Sequence, residues 1–300
     1  MSNNQSYKIA TIGFFDGVHR GHKCLIRQLT DEAQRRGMKS LLVTFDCHPR
    51  TVVSPDHVPV LLTTLEEKQE LLRQTGVDEI AVLPFTRELS RLSASEFMQQ
   101  VLYKELGVRA LVLGYDHAFG HGGGSLNDYI RWGKETGIDV VRAHELEDMM
   151  VSSSKCRRLL EQGDVEGARD MLGRYYSLRG LVVRGFHVGH ELGFPTANLQ
   201  PDADKLVPAH GAYAVWATLC DGVRCGGMLN IGNRPTIGNG EAVSVEVNIF
   251  DYEGDLYGQH IIVEFVSRLR DERHFASRDE LMNQLAQDEV AARKILAPNL

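Results

Sequence analysis

The hydrophobic pattern of this chain changes period near residue 175, and that change limits the folds open to it. Before it, short apolar runs alternate with amphipathic stretches; after it, short runs follow one another at turn-sized intervals. Strands repeat every two residues and helices every 3.6, so the two halves call for different architectures. In the first half the runs lie at 7–12, 40–45, 79–83, 109–113 and 138–142. Between the first two, Leu25, Ile26, Leu29 and Ala33 have helical spacing over 22–36. Thr64 with Glu67, and Ser93 with Glu96, are capping-box pairs that open helices. Strand and helix in alternation predict a doubly wound, Rossmann-like parallel sheet with its site at the carboxyl ends of the strands.

The second half carries runs at 178–184, 211–219, 224–231, 243–250 and 259–267, with turn signals at Asp221-Gly222 and Gly238-Asn239-Gly240. These predict an antiparallel barrel or sandwich. A closing helix follows, capped by Ser277 and Glu280 and striped by Leu281, Leu285, Ala292 and Ile295. The expected domains are therefore residues 1–175, α/β, and 176–300, β with a final helix.

Charge and cysteine content narrow the function. Over 300 residues the net charge is -7. There is no global basic field for a nucleic-acid backbone, so a polyanionic ligand needs a local site. No leader sequence and no apolar span of membrane length is seen, which predicts a cytoplasmic chain. Five cysteines without a C-x-x-C pair read as free thiols. A two-residue turn at Asp221-Gly222 would pair Cys220 with Val223 and leave Cys225 facing Thr218.

Chemistry concentrates in two motifs. Gly17-Val18-His19-Arg20-Gly21-His22 follows the first strand and opens a helix. Two histidines three apart on a helix share a face. Gly17 and Gly21 leave room for an anion at the helix start, where backbone N–H groups point outward. Ser152-Ser153-Ser154-Lys155-Cys156-Arg157 begins another helix after the last strand of this half. Three hydroxyls at that helix start, with Lys155 and Arg157, offer a phosphate clamp.

An H-x-G-H after the first strand, with a later S-S-S-x-x-R, resembles the nucleotidyltransferase superfamily, which transfers a nucleotide and releases pyrophosphate. The segments Val43–Arg50, Leu62–Lys68, Leu83–Phe85 and Gly114–Gly120 resemble the adenylyltransferase half of bacterial bifunctional FAD synthetases. That resemblance implies that His19 and His22 contact ATP phosphates, that Asp116 lies near the flavin and that Ser153, Ser154 and Arg157 clamp phosphate. An attacking phosphate is already anionic, so this step needs charge stabilisation rather than a base.

The second motif is Gly193-Phe194-Pro195-Thr196-Ala197-Asn198-Leu199, preceded by Gly185 and Gly189 at four-residue spacing. Pro195 holds the segment extended, so Thr196 and Asn198 face one side and offer hard oxygen ligands to the Mg²⁺ carried by ATP. Gly185, Gly189 and Gly193 allow close approach of phosphate. The motif resembles the signature of riboflavin kinases, and the match extends through Asn230–Thr236, Val245–Phe250, Asp255–Gly258 and Leu269–Phe275. It implies a β-barrel kinase domain. A neutral alcohol must lose a proton when it attacks the γ-phosphate. Glu246, sharing a strand face with Ser244 and Asn248 at the barrel mouth, is the base that the resemblance implies. Arg270 and Glu272 are implied flavin contacts.

Together these readings imply an enzyme that makes FMN from riboflavin and ATP, then FAD from FMN and ATP. The expected cofactor is Mg²⁺, and the expected state a monomer or weak homo-oligomer binding neither nucleic acid nor membrane. Three alternatives stay open: one activity alone, a nucleotidyltransferase with another phosphate substrate, or a non-catalytic flavin-binding regulator. His190 stands where many relatives carry Arg or Lys, Tyr175 where Pro is common, and Asn248 where His is frequent.

Overall fold

Each apolar run of the first half forms a strand in a computed structural model that describes residues 7–114, 119–144, 151–184, 194–234 and 242–297. The strands are β1 (Lys8–Ile12), β2 (Lys39–Phe45), β3 (Glu79–Leu83), β4 (Val108–Leu113) and β5 (Asp139–Arg142). They form one parallel sheet in the order β3-β2-β1-β4-β5. The winding direction reverses between β1 and β4, so a ligand crevice opens beyond their carboxyl ends. The helices are α1 (Arg20–Arg36), α2 (Pro49–Val53), α3 (Leu65–Arg73), α4 (Arg87–Arg91), α5 (Ala94–Phe97, continued by Met98–Glu105) and α6 (Leu126–Thr136).

The sheet is covered on both faces. Leu29 and Ala33 of α1 pack on Ile9, Ala110 and Val112. Phe97, Met98, Leu102 and Tyr129 pack on Ala10, Ile12, Leu41 and Leu111. Burial on both sides is why these strands read as unbroken apolar runs. Both expected capping boxes form, at Thr64–Glu67 and Ser93–Glu96.

The chain divides into two units, Met1–Ser152 and Ser153–Leu300. The second begins with α7 (Ser153–Glu161) and α8 (Val165–Leu172). Six strands follow: β6 (Tyr176–Val183), β7 (Ala197–Pro201), β8 (Gly211–Thr218), β9 (Arg224–Arg234), β10 (Ala242–Ile249) and β11 (His260–Arg270). They close as an antiparallel barrel in the order β10-β7-β6-β11-β8-β9, which leaves no sheet edge. The closing helix is α9 (Arg278–Leu296). Ser277 caps it by accepting from the Glu280 N–H, while the Glu280 carboxylate reaches back to the Ala276 N–H, 3.0 Å away.

Alternation sorts the barrel residues. Ala214, Trp216, Met228, Phe250 and Val266 meet Ala292 and Leu296 of α9, so that face is the outside. The buried Tyr213, Val215, Leu229, Ile231, Val245, Val247, Val263 and Phe265 alternate with it and fill the interior. Tyr213 and Phe265 meet edge to face there, 5.2 Å between ring centroids.

Two expectations change. β7 was not foreseen as a strand. Its sequence, Ala-Asn-Leu-Gln-Pro, carries little β signal, and pairing with β6 and β10 on its two sides determines it. The hairpin at Asp221-Gly222 has three loop residues, not two. Leu219 N–H donates to Val223 O at 2.9 Å, and Gly222 adopts φ +86°. The register moves by one, so Thr218 faces Arg224 and Cys225 faces Ala217. A left-handed glycine at the third loop position is the usual closure of this longer turn.

Trp216 is 2% exposed beneath α9. Trp216→Ala should cost about 3–5 kcal/mol, read as a fall in the denaturant midpoint at unchanged slope. An unchanged midpoint would show that α9 does not depend on this contact.

Candidate functional site

In the first unit the chain leaves β1 through a strained turn. Phe15 (φ 57°), Gly17 (78°) and Val18 (40°) all lie in the left-handed region. Glycine tolerates it, but a phenylalanine and a β-branched valine there cost on the order of 1–3 kcal/mol each. Two features hold the turn. Phe15 and Val18 are buried against Ile26, Leu42 and Leu72. Asp16, 3% exposed, accepts from Leu62 N–H at 3.0 Å, Thr63 N–H at 3.1 Å and Thr63 Oγ1 at 3.2 Å. Gly17 N–H donates in turn to Thr63 Oγ1, 3.0 Å away.

This turn delivers His19 to the start of α1. Its Nδ1 accepts from His22 N–H at 3.2 Å, the place Ser or Asp takes in most caps. With Nδ1 accepting, Nε2 is the nitrogen that carries the hydrogen when the ring is neutral. The His22 ring stacks on His19 at 3.6 Å and 15°, and meets the Phe15 ring edge-on. A Cβ at Gly21 would come within 3.2 Å of the His19 ring, so glycine preserves the stack. The structure thus brings the histidine pair together at a helix N-terminus, as the sequence spacing predicts.

Beyond the carboxyl ends of β1, β2 and β3 lies a cavity of about 440 Å³, lined by Phe14, Phe45, Phe85, Phe97 and Phe119. The Tyr129 hydroxyl accepts from Phe119 N–H and donates to Phe119 O, which fixes the rim. Next to Phe45, burial pushes the pKa of Asp46 up, but hydrogen bonds from Phe85 N–H and Cys47 outweigh it and hold the carboxyl below its usual range. Burial and the Asp46 charge push the Cys47 thiol up. Burial also pushes Lys68 of α3 down to about 8, against the attraction of Asp16 and Asp46. Asp116 lies outside the described residues. Ser153 and Ser154 open α7 in the second unit, and Arg157 follows one turn later, half-buried.

In the second unit, register builds the site. Asn198 of β7 pairs with Glu246 of β10, and Glu246 pairs with Asn230 of β9. Asn230 pairs with Ala212 of β8, and Ala212 with Arg270 of β11. One row across five strands therefore holds Asn198, Glu246, Asn230, Ala212 and Arg270. Met228 and Asn248, paired beside this row, share the face that meets α9. Glu246 thus sits on the outer face of the barrel, beneath α9 and the 270–275 segment. This corrects the expected place at the barrel mouth, whose inward-facing residues are Val247 and Ile249.

A cavity of about 240 Å³ lies over the row, lined by Glu246, Asn230, Arg270, Glu272, Thr196 and Phe275 among others. A second, of about 470 Å³, lies where Val182, Val247 and Ile249 meet residues 252–257. Thr196 lines both. Asn248 Nδ2 donates to Pro195 O at 2.7 Å and holds the segment carrying Thr196. Arg270 is clasped by the buried Asp288 of α9, with Nε and Nη2 both 2.8 Å from Oδ2. Gly185, Gly189, His190 and Gly193 lie outside the described residues.

A family model described as FAD synthetase matches residues 1–155, and one described as riboflavin kinase matches residues 172–296. The chain is 36% identical over 291 residues to the bifunctional riboflavin kinase/FMN adenylyltransferase of Escherichia coli strain K12, covering 95% of this chain and 92% of that one. The chain belongs to the bifunctional riboflavin kinase/FMN adenylyltransferase family. The Bacillus subtilis strain 168 relative is 34% identical over 297 residues, covering 97% of this chain and 93% of that one. A solved structure named macrolide-efflux protein, from Streptococcus pneumoniae, has the same fold: TM-score 0.87, 30% identity, covering 97% of this chain and 95% of that one. Among the described residues here no helix is long and apolar enough to cross a membrane.

Against that family, sequence reading missed the braces. Asp16 with Thr63, Asn230 opposite Glu246, and Asp288 behind Arg270 were assigned no role. Each depends on a pairing between distant segments, which no local spacing signals. Asp16→Ala should lower stability by at least about 2 kcal/mol, since it strands two buried backbone N–H groups. A denaturation midpoint within error of the parent would show that the turn holds without this carboxylate.

Proposed function

We propose that this chain makes FAD from riboflavin in two ATP-dependent steps, with phosphorylation in residues 176–300 and adenylyl transfer in residues 1–175. The observation that carries the kinase assignment is Thr196, which lines both cavities of the second unit beside the Asn198–Glu246 pair. The larger cavity takes the nucleotide of ATP, the smaller takes the flavin, and the γ-phosphate lies where they join. Thr196 and Asn198 supply a hydroxyl and an amide oxygen, a donor set suited to Mg²⁺ brought in with ATP. When bound, the ion neutralises phosphate charge.

Glu246 takes the proton of the riboflavin 5′-hydroxyl as that oxygen bonds to the γ-phosphorus. The bond to the β-phosphate oxygen breaks, and ADP leaves. Arg270 and Glu272 orient the flavin. Gly185, Gly189 and Gly193 are assigned to phosphate on sequence alone.

In the first unit the apolar, aromatic cavity suits the planar flavin ring of FMN, with Asp116 assigned near it on sequence alone. The FMN phosphate attacks the α-phosphorus of ATP, and pyrophosphate leaves. His19 and His22 donate to the phosphates, and the helix start adds the Gly21 backbone N–H. Gly17 is a further phosphate contact; Ser153, Ser154 and Arg157 are assigned to phosphate on sequence alone. We place the chain in the cytoplasm, as a monomer or weak homo-oligomer.

Two substitutions test the assignment by chromatography of flavins. Glu246→Gln should reduce FMN formation at least a hundredfold while FAD still forms from supplied FMN. Loss of both activities in a folded protein would refute separate sites. His19→Ala with His22→Ala should let FMN accumulate from riboflavin with little FAD. Undiminished FAD output would refute the role of the pair.

A further inference from the structure

Lys68 lies on α3, only 2% exposed, at the carboxyl edge of the parallel sheet. Its Nζ donates to Phe45 O at 2.8 Å and stands 4.0 Å from the centroid of the Phe14 ring. Phe45 ends β2 and Phe14 follows β1, and both line the 440 Å³ cavity. One buried cation thus joins two strand ends that form a wall of that cavity. The segment leading into α3 is itself tied to the histidine-bearing turn, because Asp16 holds Leu62 and Thr63 and Thr64 caps the helix.

We propose that Lys68 is a positioning residue of the adenylyl-transfer site, whose ammonium sets Phe14 and the end of β2 as the wall on which the flavin ring of FMN lies. This rests on the adenylyltransferase reading of the first unit. A purely structural role is a poor account. Burying an ammonium is costly, and a methionine would fill the same space without that cost. Buried groups with displaced pKa values beside cavities are concentrated at working sites. Lysine, moreover, donates to the carbonyl and the ring face at once, which an apolar side chain cannot do.

The proposal makes the cavity wall sensitive to pH. The groups around Lys68 are Asp16 from the β1–α1 turn, Asp46 and Cys47 after β2, His48 at the edge of the Phe14 ring, and Glu67 on α3 itself. Asp46 is held low and Cys47 high, so neither changes charge near pH 8. Burial has lowered the Lys68 pKa to about 8, so the ammonium is present below that pH and lost as pH rises through it. The contact with Phe14 weakens in the same direction.

The test uses the full chain, with FMN and MgATP as substrates. Lys68→Met should raise the KM for FMN about tenfold at pH 7, the loss expected of one desolvated cation–ring contact, with the KM for ATP within about twofold. FMN formation from riboflavin by the same molecules should be unchanged. In the parent, the KM for FMN should climb between pH 7.5 and 9; Lys68→Arg, which stays charged, should flatten that climb. If Lys68→Met proves unfolded in its first unit, the arginine profile carries the test. A Lys68→Met enzyme with parental KM for FMN, or a Lys68→Arg enzyme with the parental climb, overturns the proposal while leaving the adenylyltransferase reading intact. A parent protein that makes no FAD from FMN sinks that reading, and the proposal with it.

Discussion

A one-residue slip of β10 against its neighbours would turn Glu246 from the outer face of the barrel into its apolar interior. Strand side chains alternate with a period of two, so register decides everything on this face. Closure pins it. β10 is paired on both sides, with Val245 and Val247 fully committed to the interior. The slip would bury Ser244, Glu246 and Asn248 among Leu229, Ile231 and Phe265 and expose the valines. Packing of the barrel interior therefore places the carboxylate outside it, and Asn198, Asn230 and Arg270 fall into line as a consequence. The small Ala212 between Asn230 and Arg270 leaves the gap over which the cavity opens.

The first unit positions its groups by another route. A parallel sheet leaves its strand ends to loops, and loops have no ladder to fix them. Here a buried carboxylate substitutes for the ladder. Asp16 takes hydrogen bonds from a segment more than forty residues away and holds a turn that Phe15 and Val18 would not adopt alone. The cost is met by burying both side chains. His19 then caps α1 through its own ring, so the hydrogen bond that starts the helix also fixes Nδ1 as an acceptor.

How much of this could be read from the residues follows from the range of each interaction. The strands of the first sheet were legible because burial on both faces writes them as apolar runs. The helix starts were legible because Thr64, Ser93 and Ser277 act within three residues. His19 and His22 were legible because helical spacing alone puts them on one face. β7 was hidden, since its strand character comes from its partners. The Cys220–Cys225 hairpin was misread by one residue, since a glycine at Gly222 suits a two- or a three-residue loop and only the pairing of Leu219 with Val223 decides. The side of the barrel on which Glu246 stands was misread for a related reason: alternation gives two faces, and only the packing of α9 says which is outer.

Two carboxylates, Asp16 and Glu246, show how the chemistry of the proposed sites differs. Asp16 lies beside the histidine pair, yet its oxygens are taken up by Leu62 and Thr63 and it is closed from solvent. A group so engaged is committed to holding the turn and has little left with which to accept a proton from substrate. Adenylyl transfer asks for none, because the attacking oxygen belongs to a phosphate that already bears charge. Glu246 stands in contrast, half-buried on a cavity wall between two asparagines in register. Asn198 and Asn230 stand in register on either side of it, and it lines the cavity. An alcohol nucleophile needs a proton acceptor in that position. In the proposed mechanism one unit uses its carboxylate for structure and meets the anions with donors; the other keeps its carboxylate for the proton. That division is what a chain with a net charge of -7 needs to handle two polyanionic substrates, since attraction must come from placed donors rather than from the overall field.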